Sequence, residues 1–146
     1  MNEEGYAMVP GHICAACGTH DSLVLEVRDM PFAYHEQSTV IDNVHGIFCT
    51  ACNEGFADPA HPADWQRLGD EIQRFTHKVD AALAVEMRTM RKKLGLRQAD
   101  AGKLFGGGIS AFSEYERGKT QPHKSTVLLL KLLNKHPELL DELRAA

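Results

Sequence analysis

The sequence has no long apolar run, and this absence excludes two classes of protein. No segment approaches the roughly 18 consecutive apolar residues of a membrane span, so no membrane-spanning helix is predicted. The first residues, Met1-Asn2-Glu3-Glu4, are acidic and no apolar segment follows them, so no secretory signal peptide is predicted. We therefore expect a cytoplasmic protein without a membrane partner.

Cysteine is also scarce. The chain has four cysteines, and none follows Cys52. Structural disulfides are rare in the cytosol, so we do not expect these thiols to be paired. With 43% hydrophobic and 25% charged residues, the composition is that of a folded protein, and 146 residues fit one domain or two small ones. No Cys-His or Ser-His-Asp arrangement is suggested, so the chain is not expected to be an enzyme.

The formal net charge of −4 conceals opposite charges in the two halves of the chain. Residues 1–83 hold 13 acidic and 4 basic side chains, whereas residues 84–146 hold 7 acidic and 12 basic ones. A chance division of surface charge would look the same, so charge alone does not decide the matter. If the division is functional, the basic half is the candidate for contact with phosphates.

The spacing of the four cysteines indicates a metal site. Cys14 and Cys17 form one Cys-x-x-Cys pair, and Cys49 and Cys52 form a second. Each pair lets a tight turn aim two thiolates at one centre, and two such turns complete a tetrahedral four-thiolate zinc site. Gly18 supplies backbone freedom for the first turn. The prediction is one structural Zn²⁺ per chain.

Other uses of these cysteines remain open. A redox site needs one Cys-x-x-Cys on a thioredoxin-like βαβ unit, whereas this sequence has two pairs and no such unit. A catalytic zinc needs an open coordination position, which four thiolates would close. Peroxide could still oxidise the thiolates and release the metal. Four nearby histidines could also replace one cysteine as a ligand: His12, His20, His45 and His61.

The 31 residues between the two cysteine pairs predict a small antiparallel sheet. Apolar residues alternate with others over residues 23–28, which is the period of a strand. The segment Asp29-Met-Pro31 is predicted to break this strand, and further strands are predicted at residues 40–41 and 44–48. We expect a zinc-ribbon-like sheet that carries both cysteine turns and offers a surface for protein docking.

A linking helix is predicted to follow the sheet from about Asp64. Its apolar residues recur every three or four positions and form one stripe, suited to packing on the sheet or on a partner chain: Trp65, Leu68, Ile72, Phe75 and Val79. Residues 80–85 contain neither Pro nor Gly to mark a hinge. We place the domain boundary there and divide the chain into residues 1–83 and residues 84–146.

Residues 87–118 have the pattern of a helix-turn-helix. An apolar stripe over residues 87–94 ends at Gly95, and residues 98–105 are predicted to form a second short helix. Three glycines at positions 106–108 make a turn before a third helix, predicted over residues 109–115. A turn of this kind places the helix that follows it in the DNA major groove.

These residues resemble the lambda-repressor-like (Xre-type) class of helix-turn-helix. The class has a Gln that opens the second helix, a Gly at the turn, an apolar-Ser pair and a closing Glu-x-Gly, here Gln98, Gly106, Phe112-Ser113 and Glu116-Arg-Gly118. One departure is Arg97, where the class usually has a Ser or Thr cap. The cap that is forgone is worth about 1 kcal/mol, and Arg97 offers a phosphate contact instead.

The last 22 residues predict two leucine-rich helices, separated at His136-Pro137. They can supply the core of the domain, a dimer interface, or both, because helix-turn-helix proteins usually bind two half-sites as two-fold dimers.

The order of four-cysteine module, linking helix and helix-turn-helix resembles the MqsA (YgiT-like) antitoxin family over about residues 13–144. The most specific stretches are Arg91-Lys-Lys-Leu94, Phe105-Gly-Gly-Gly108, Ala111-Phe-Ser113, Tyr115-Glu116, Gln121-Pro-His123 and Lys135-His-Pro-Glu-Leu-Leu140. The implied fold is α+β: a small N-terminal zinc-bound antiparallel β module with a linking helix, then an all-α helix-turn-helix domain.

The resemblance also implies a function. Family members dimerise through the C-terminal domain, bind palindromic operators in double-stranded DNA, and neutralise an mRNA-cleaving toxin mainly with the N-terminal domain. Residues 1–83 would then dock the toxin, and residues 84–146 would bind DNA and dimerise. The alternative is a stand-alone zinc-containing transcriptional regulator without a toxin partner.

The family's base-reading Asn and Arg fall here at Ser110 and Glu114. A Glu can accept a hydrogen bond from cytosine N4 and is repelled by phosphate. We therefore expect a different operator, or an affinity that rests more on nearby basic residues. The residues predicted to contact DNA are Arg97, Gln98, Lys103, Ser110, Ser113, Glu114, Arg117 and Lys119.

Overall fold

The computed structural model describes residues 7–146, apart from the side chain of Met8. The acidic Met1–Glu4 segment, from which we predicted the absence of a signal peptide, lies outside the described residues. The structure divides into two compact units, one ending at Thr76 and the other covering His77–Ala146. The first contains an antiparallel sheet and the second is entirely helical, which confirms the predicted α+β class. Within residues 7–146 no helix has the length and apolar character to cross a membrane.

The first unit is built on a four-stranded antiparallel sheet in the order β1-β2-β3-β4. The strands are β1 (Ala7–Met8), β2 (Leu23–Tyr34), β3 (Gln37–Cys49) and β4 (Gly55–Ala57). Strands β2 and β3 form a long hairpin in which Leu23 pairs with Cys49 at one end and Tyr34 with Gln37 at the other. The hairpin thus carries one cysteine turn just before β2 and the other just after β3.

The predicted break at Asp29-Met-Pro31 is wrong, because β2 continues through it. The pairing register shifts between Arg28 and Met30, so Asp29 is absorbed as an irregularity in the ladder rather than ending the strand. Pro31 pairs with Val40 of β3. Over residues 7–146, β1 pairs with β2 only at Val24 and Leu25, so Pro31 lies on an open edge of the sheet, where proline is tolerated.

Helix α1 (Pro62–Lys93) joins the two units without interruption. It begins two residues before the predicted Asp64, with proline at the first helical position, where the missing N–H has no partner to lose. It then continues through residues 80–85, since these contain no helix-breaking residue. The units separate inside this helix, after Thr76. The functional division at residues 83 and 84 stays a prediction.

Four residues of the predicted apolar stripe of α1 pack on the sheet, whereas the fifth, Val79, belongs to the second unit. Leu68 is buried with Ile41 and Val44 of β3. Trp65 and Ile72 pack against the same cluster from α1, and Phe75 contacts Phe32 of β2 edge to face, with ring centroids 6.1 Å apart. The first unit is therefore a hairpin covered on one face by the start of a helix.

The second unit packs the end of α1 against four shorter helices: α2 (Gln98–Phe105), α3 (Ala111–Glu116), α4 (Lys124–Lys135) and α5 (Leu140–Ala145). Helix α2 has the predicted bounds, whereas α3 begins at Ala111 rather than at residue 109. A 3₁₀ turn at Pro137–Leu139 separates α4 from α5, which confirms the break predicted at His136-Pro137. One cluster of buried residues forms the core: Met87, Met90, Leu96, Ala101, Phe112, Leu130, Leu133 and Leu140.

The turn between α2 and α3 depends on glycine. Gly106, Gly107 and Gly108 all have φ between 84° and 91°, a region that other residues rarely adopt. Gly102 of α2 lies so close to this turn that an added Cβ would be 2.0 Å from the Gly108 carbonyl oxygen. The close approach of the two helices thus requires a residue without a side chain at position 102.

Candidate metal centre and helix-turn-helix surface

The four cysteine sulfurs of the first unit lie together, with all four atoms within 4.8 Å of one another. Cys14 Sγ is 3.7 Å from Cys52 Sγ, and Cys17 Sγ is 3.7 Å from Cys49 Sγ. Thiolates held about 2.3 Å from a tetrahedral zinc would be roughly 3.8 Å apart. The cluster therefore has the donor set and spacing of a four-thiolate metal centre.

Two similar backbone turns bring these sulfurs together. The N–H of Gly18 donates to the Cys14 carbonyl at 2.8 Å, and the N–H of Asn53 donates to the Cys49 carbonyl at 2.9 Å. Gly18 and Asn53 both have positive φ, at 74° and 63°. Sequence reasoning identified Gly18 and missed Asn53, although Asn is the residue after Gly that best tolerates this conformation.

Hydrogen bonds around the sulfurs favour the thiolate form at two positions. A hydrogen bond with Ser22 Oγ, 3.2 Å away, lowers the pKa of the Cys49 thiol to about 6. Hydrogen bonds with the side chain and backbone of Thr19 lower the pKa of Cys17. At Cys52 a backbone hydrogen bond at Glu54 acts in the same direction, but desolvation and the neighbouring sulfurs outweigh it and raise the pKa to about 12. A bound cation would offset the repulsion between neighbouring thiolates and thereby favour the ionised form of Cys52.

The histidines do not join the sulfur cluster. In the described part of the chain, the cluster of potential metal ligands consists of the four cysteines alone. The His12 ring lies 3.1 Å from the Pro10 carbonyl oxygen, and His20 pairs with Ile13 through the backbone. His45 and His61 are hydrogen-bonded to carboxylates near the start of α1.

His45 and His61 form a polar clip between the sheet and α1. The His45 ring donates from Nδ1 to Asp64 Oδ2 at 2.6 Å, and the His61 ring donates to Asp58 Oδ2 at 2.6 Å. The two rings stack with centroids 4.1 Å apart. Hydrogen bonds from the His45 backbone and ring lower the pKa of Asp64, and the His61 ring lowers the pKa of Asp58. Sequence reasoning missed this clip, because its partners are 3 to 19 residues apart and form no motif.

A buried ion pair joins the three helices of the helix-turn-helix. The Arg91 guanidinium at the end of α1 makes a bidentate contact with Glu116 at the end of α3 and donates to the Leu96 carbonyl. Gln98 Nε2, at the start of α2, donates to Glu116 Oε2 at 2.9 Å. Although burial opposes its ionisation, these donors lower the pKa of Glu116. Gln98, a predicted DNA contact, thus has an internal role that the sequence did not reveal.

The other predicted DNA contacts lie on or beside α2 and α3. Ser110, Ser113 and Glu114 belong to α3 or its N-terminal cap. Glu114 Oε1 lies 3.9 Å from Lys119 Nζ, so the carboxylate that was predicted to face a base is paired with a predicted phosphate contact. The Arg117 guanidinium donates to the Ser113 carbonyl at 3.0 Å.

The remaining two, Arg97 and Lys103, lie at opposite ends of α2. Arg97 makes no side-chain cap, as predicted, and its guanidinium pairs with Asp100 at 2.8 Å. Lys103 is exposed in the last turn of the same helix. The structure therefore brings the predicted basic residues to the outer surface of α2, α3 and their flanking loops.

Comparison with known proteins identifies the family. Residues 12–144 match the family described as the antitoxin component of bacterial toxin-antitoxin system, MqsA. The chain is 38% identical over 133 residues to the antitoxin MqsA of Escherichia coli strain K12, covering 90% of this chain and 98% of that protein. The solved N-terminal domain of E. coli MqsA is 21% identical, covers 48% of this chain and 98% of its own, and has a TM-score of 0.39. The chain belongs to the MqsA family of antitoxins, a family of regulatory proteins rather than enzymes.

Proposed function

We propose that this protein is the antitoxin of a type II toxin-antitoxin system, which binds an mRNA-cleaving toxin and represses its own operon. The observation that carries the proposal is the extent of the match: 98% of the length of the E. coli antitoxin is covered, across both units. A protein sharing only the helix-turn-helix would match the second unit alone.

The proposed cofactor is one structural Zn²⁺ held by Cys14, Cys17, Cys49 and Cys52. Four sulfurs within 4.8 Å of one another fit a closed tetrahedral shell, and the Ser22 and Thr19 hydrogen bonds favour the charged form of two of them. When bound, the metal would tie the chain before β2 to the chain after β3. It would thereby fix the open end of the hairpin that we assign to toxin docking.

Operator binding is assigned to the second unit. Helix α3 would enter the major groove, with Ser110, Ser113 and Glu114 towards the bases. Arg97, Lys103, Arg117 and Lys119 would lie beside phosphates. Residues 84–146 carry five more basic than acidic side chains, which supports this assignment. In the free chain Asp100 and Glu114 neutralise two of these cations, so DNA would compete with internal ion pairs for Arg97 and Lys119.

The second unit would also form a homodimer. Leu128 and Leu132 lie one turn apart on α4 and are 50% and 47% exposed, although other leucines of the same helix are fully buried. An exposed apolar pair on a helix is suited to a second copy of the same helix, and a two-fold dimer matches a palindromic operator.

Toxin docking is assigned to the first unit, whose residues 1–76 carry nine more acidic than basic side chains. An acidic surface complements an RNA-cleaving enzyme, which must attract a polyanionic substrate. The two units would then bind partners of opposite charge, in the cytoplasm, where both the toxin's substrate and the operator are found.

Co-expression with the product of the adjacent gene tests the proposal. We expect the neighbour to arrest growth when expressed alone, and expect the tagged chain to relieve the arrest and to co-purify with the neighbour. Leu128→Glu, which alters the proposed dimer face, should leave neutralisation intact and weaken repression of a reporter placed behind the chain's own promoter. A harmless neighbour that does not co-purify would favour the stand-alone regulator.

A further inference from the structure

We infer that Ile109 is a specificity-determining residue that contacts the 5-methyl group of a thymine in the major groove. This inference rests on the proposed operator binding by the second unit. Ile109 lies two residues before α3 and is 65% exposed. It differs from the residues that we predicted to contact DNA, which are all polar or charged.

The exposure of Ile109 contrasts with the packing around it. Ala111 and Phe112, immediately after it, are buried in the core that α3 shares with the other helices. Ile109 itself lies outside that core cluster and outside the partly buried residues that pack against it. A single exposed apolar residue is common on proteins, so exposure alone assigns no role. The position of Ile109 in the helix-turn-helix is what suggests a role.

Ile109 lies just before the N-terminus of α3, the helix that is proposed to enter the groove. In helix-turn-helix proteins the first residues of the second helix of the motif contact the base edges. The three turn residues before Ile109 are glycines, and Gly106 and Gly108 have open space where a Cβ would be, so the turn places no side chain of its own beside the isoleucine. Ser110, which follows, makes no side-chain capping hydrogen bond. A DNA surface can therefore approach this corner of the motif closely.

The chemistry of the groove selects the base. Thymine presents a methyl group beside its O4 acceptor in the major groove, whereas the other bases present hydrogen-bond donors and acceptors there without a methyl group. An isoleucine would desolvate those polar groups without replacing their hydrogen bonds, so it favours thymine. The side chain is β-branched and has few rotamers, so it loses little conformational entropy on contact.

The position of Glu114 supports this division of roles. Its two carboxylate oxygens face Lys119 Nζ, at 3.9 Å, and Thr120 Oγ1, at 3.5 Å, on the loop after α3. In the free chain Glu114 therefore contacts residues that follow α3, whereas Ile109 and Ser110 precede the helix. At Ile109 the apolar side chain would contact the apolar methyl group of thymine.

The test uses uracil, which is thymine without the methyl group. The DNA segment immediately upstream of this chain's gene would be amplified with either dTTP or dUTP and titrated with the full-length zinc-loaded protein at fixed salt. Burying one methyl is worth about a fourfold change in affinity. We expect the wild-type chain to bind thymine-containing DNA at least about fourfold more tightly, and Ile109→Ala to lose most of that preference.

Val85→Ala is the matched control, because Val85 is an equally exposed apolar residue, at 66%, on α1 of the same unit. It should keep the preference for thymine. Any effect of uracil on the shape of the DNA itself would persist in Ile109→Ala, so the comparison removes it. Ile109→Ala should fold normally, since its side chain lies outside the core.

Two results would overturn the inference while leaving operator binding in place. One is equal affinity of the wild-type chain for the two DNAs, and the other is an undiminished thymine preference in Ile109→Ala. Failure of the wild-type chain to bind either fragment would instead overturn the proposed operator binding, and the role of Ile109 would fall with it.

Discussion

The two units of the chain reach stability by different physical means. The second unit has one cluster of eight buried apolar residues contributed by several helices. The first unit has two small clusters, one beside the cysteines at Leu23 and one under α1 at Ile41, Val44 and Leu68. Small cores supply little hydrophobic free energy, and small domains compensate with metals or cross-links. We therefore expect the first unit to depend on its sulfur cluster and polar clip, and the second to depend on packing.

The largest expected effect is that of losing the metal. Zinc in small four-ligand domains contributes an apparent free energy of about 10 kcal/mol or more. Removal of Zn²⁺ with a chelator, or the Cys49→Ser substitution, should unfold the first unit and leave the second folded. Amide hydrogen exchange resolved by residue would report both units in one sample. His12→Ala is the control, since His12 lies near the cysteines but outside their cluster. Unchanged protection of β2 and β3 after metal removal would contradict the comparison.

The next effect is expected in the second unit. Glu116→Gln leaves the Arg91 guanidinium, which is buried between α1 and α3, without its counter-charge. Breaking a buried pair in this way typically costs about 3 kcal/mol. Urea unfolding should show that loss in the second unit, with no change in the first. Glu138→Gln, at an exposed contact with His136, should cost less than about 0.5 kcal/mol.

A smaller effect is expected from Gly102→Ala. The added Cβ would overlap the Gly108 carbonyl oxygen, so the turn between α2 and α3 must shift. Overpacking of this kind costs about 1–3 kcal/mol. Because the turn also positions α3, operator affinity should fall more than the loss of stability alone would explain. Gly69→Ala, with open space around its Cβ, is the control. Equal affinity of both variants for the operator would contradict this account of the turn.

The smallest effect concerns pH and the first unit. Hydrogen bonds from His45 and His61 lower the pKa values of Asp64 and Asp58 below their unfolded values. A lowered folded-state pKa contributes stability that is present above the unfolded value, near 4, and is lost as the pH falls through the folded value. Asp64→Asn should therefore destabilise the first unit at neutral pH, and the difference from wild type should shrink below about pH 4.

Chemical denaturation of the first unit at several pH values would measure this difference. Asp70→Asn, an exposed residue of the same helix, is the matched control and should leave the unfolding free energy unchanged at each pH. A gap between Asp64→Asn and wild type that stays constant with pH would show that the Asp64 carboxylate gains nothing from His45.

Sequence reasoning found the features that repeat at a fixed spacing. Local patterns, each contained in one segment of the chain, were enough to predict four features: the cysteine pairs, the stripe of α1, the bounds of α2 and the break at His136-Pro137. Strand β2 was misjudged because the effect of Pro31 depends on which neighbour the strand has, and that neighbour is set by the whole sheet.

The features that were missed are pairs made by folding. Ser22 meets Cys49 across 27 residues, and Arg91 meets Glu116 across 25. Arg91, Glu116 and Cys49 each belong to a motif, but no local pattern shows that they pair with residues 25 to 27 positions away. The exposure of Ile109 was missed for the same reason: an isoleucine near a helix start is normally counted as core, and only the packing of α3 reveals that it faces outward.

The central claim is that the two units hold two separable functions, and the Cys49→Ser variant tests it most directly. Growth rescue from the neighbouring gene's product and repression of a reporter behind the chain's own promoter would be measured in the same strain. We expect Cys49→Ser to lose rescue, because the first unit should unfold without the proposed Zn²⁺, and to keep most of its repression. Two results would contradict the claim that each unit holds its own function. One is loss of both activities in a variant whose second unit remains folded, and the other is retention of rescue.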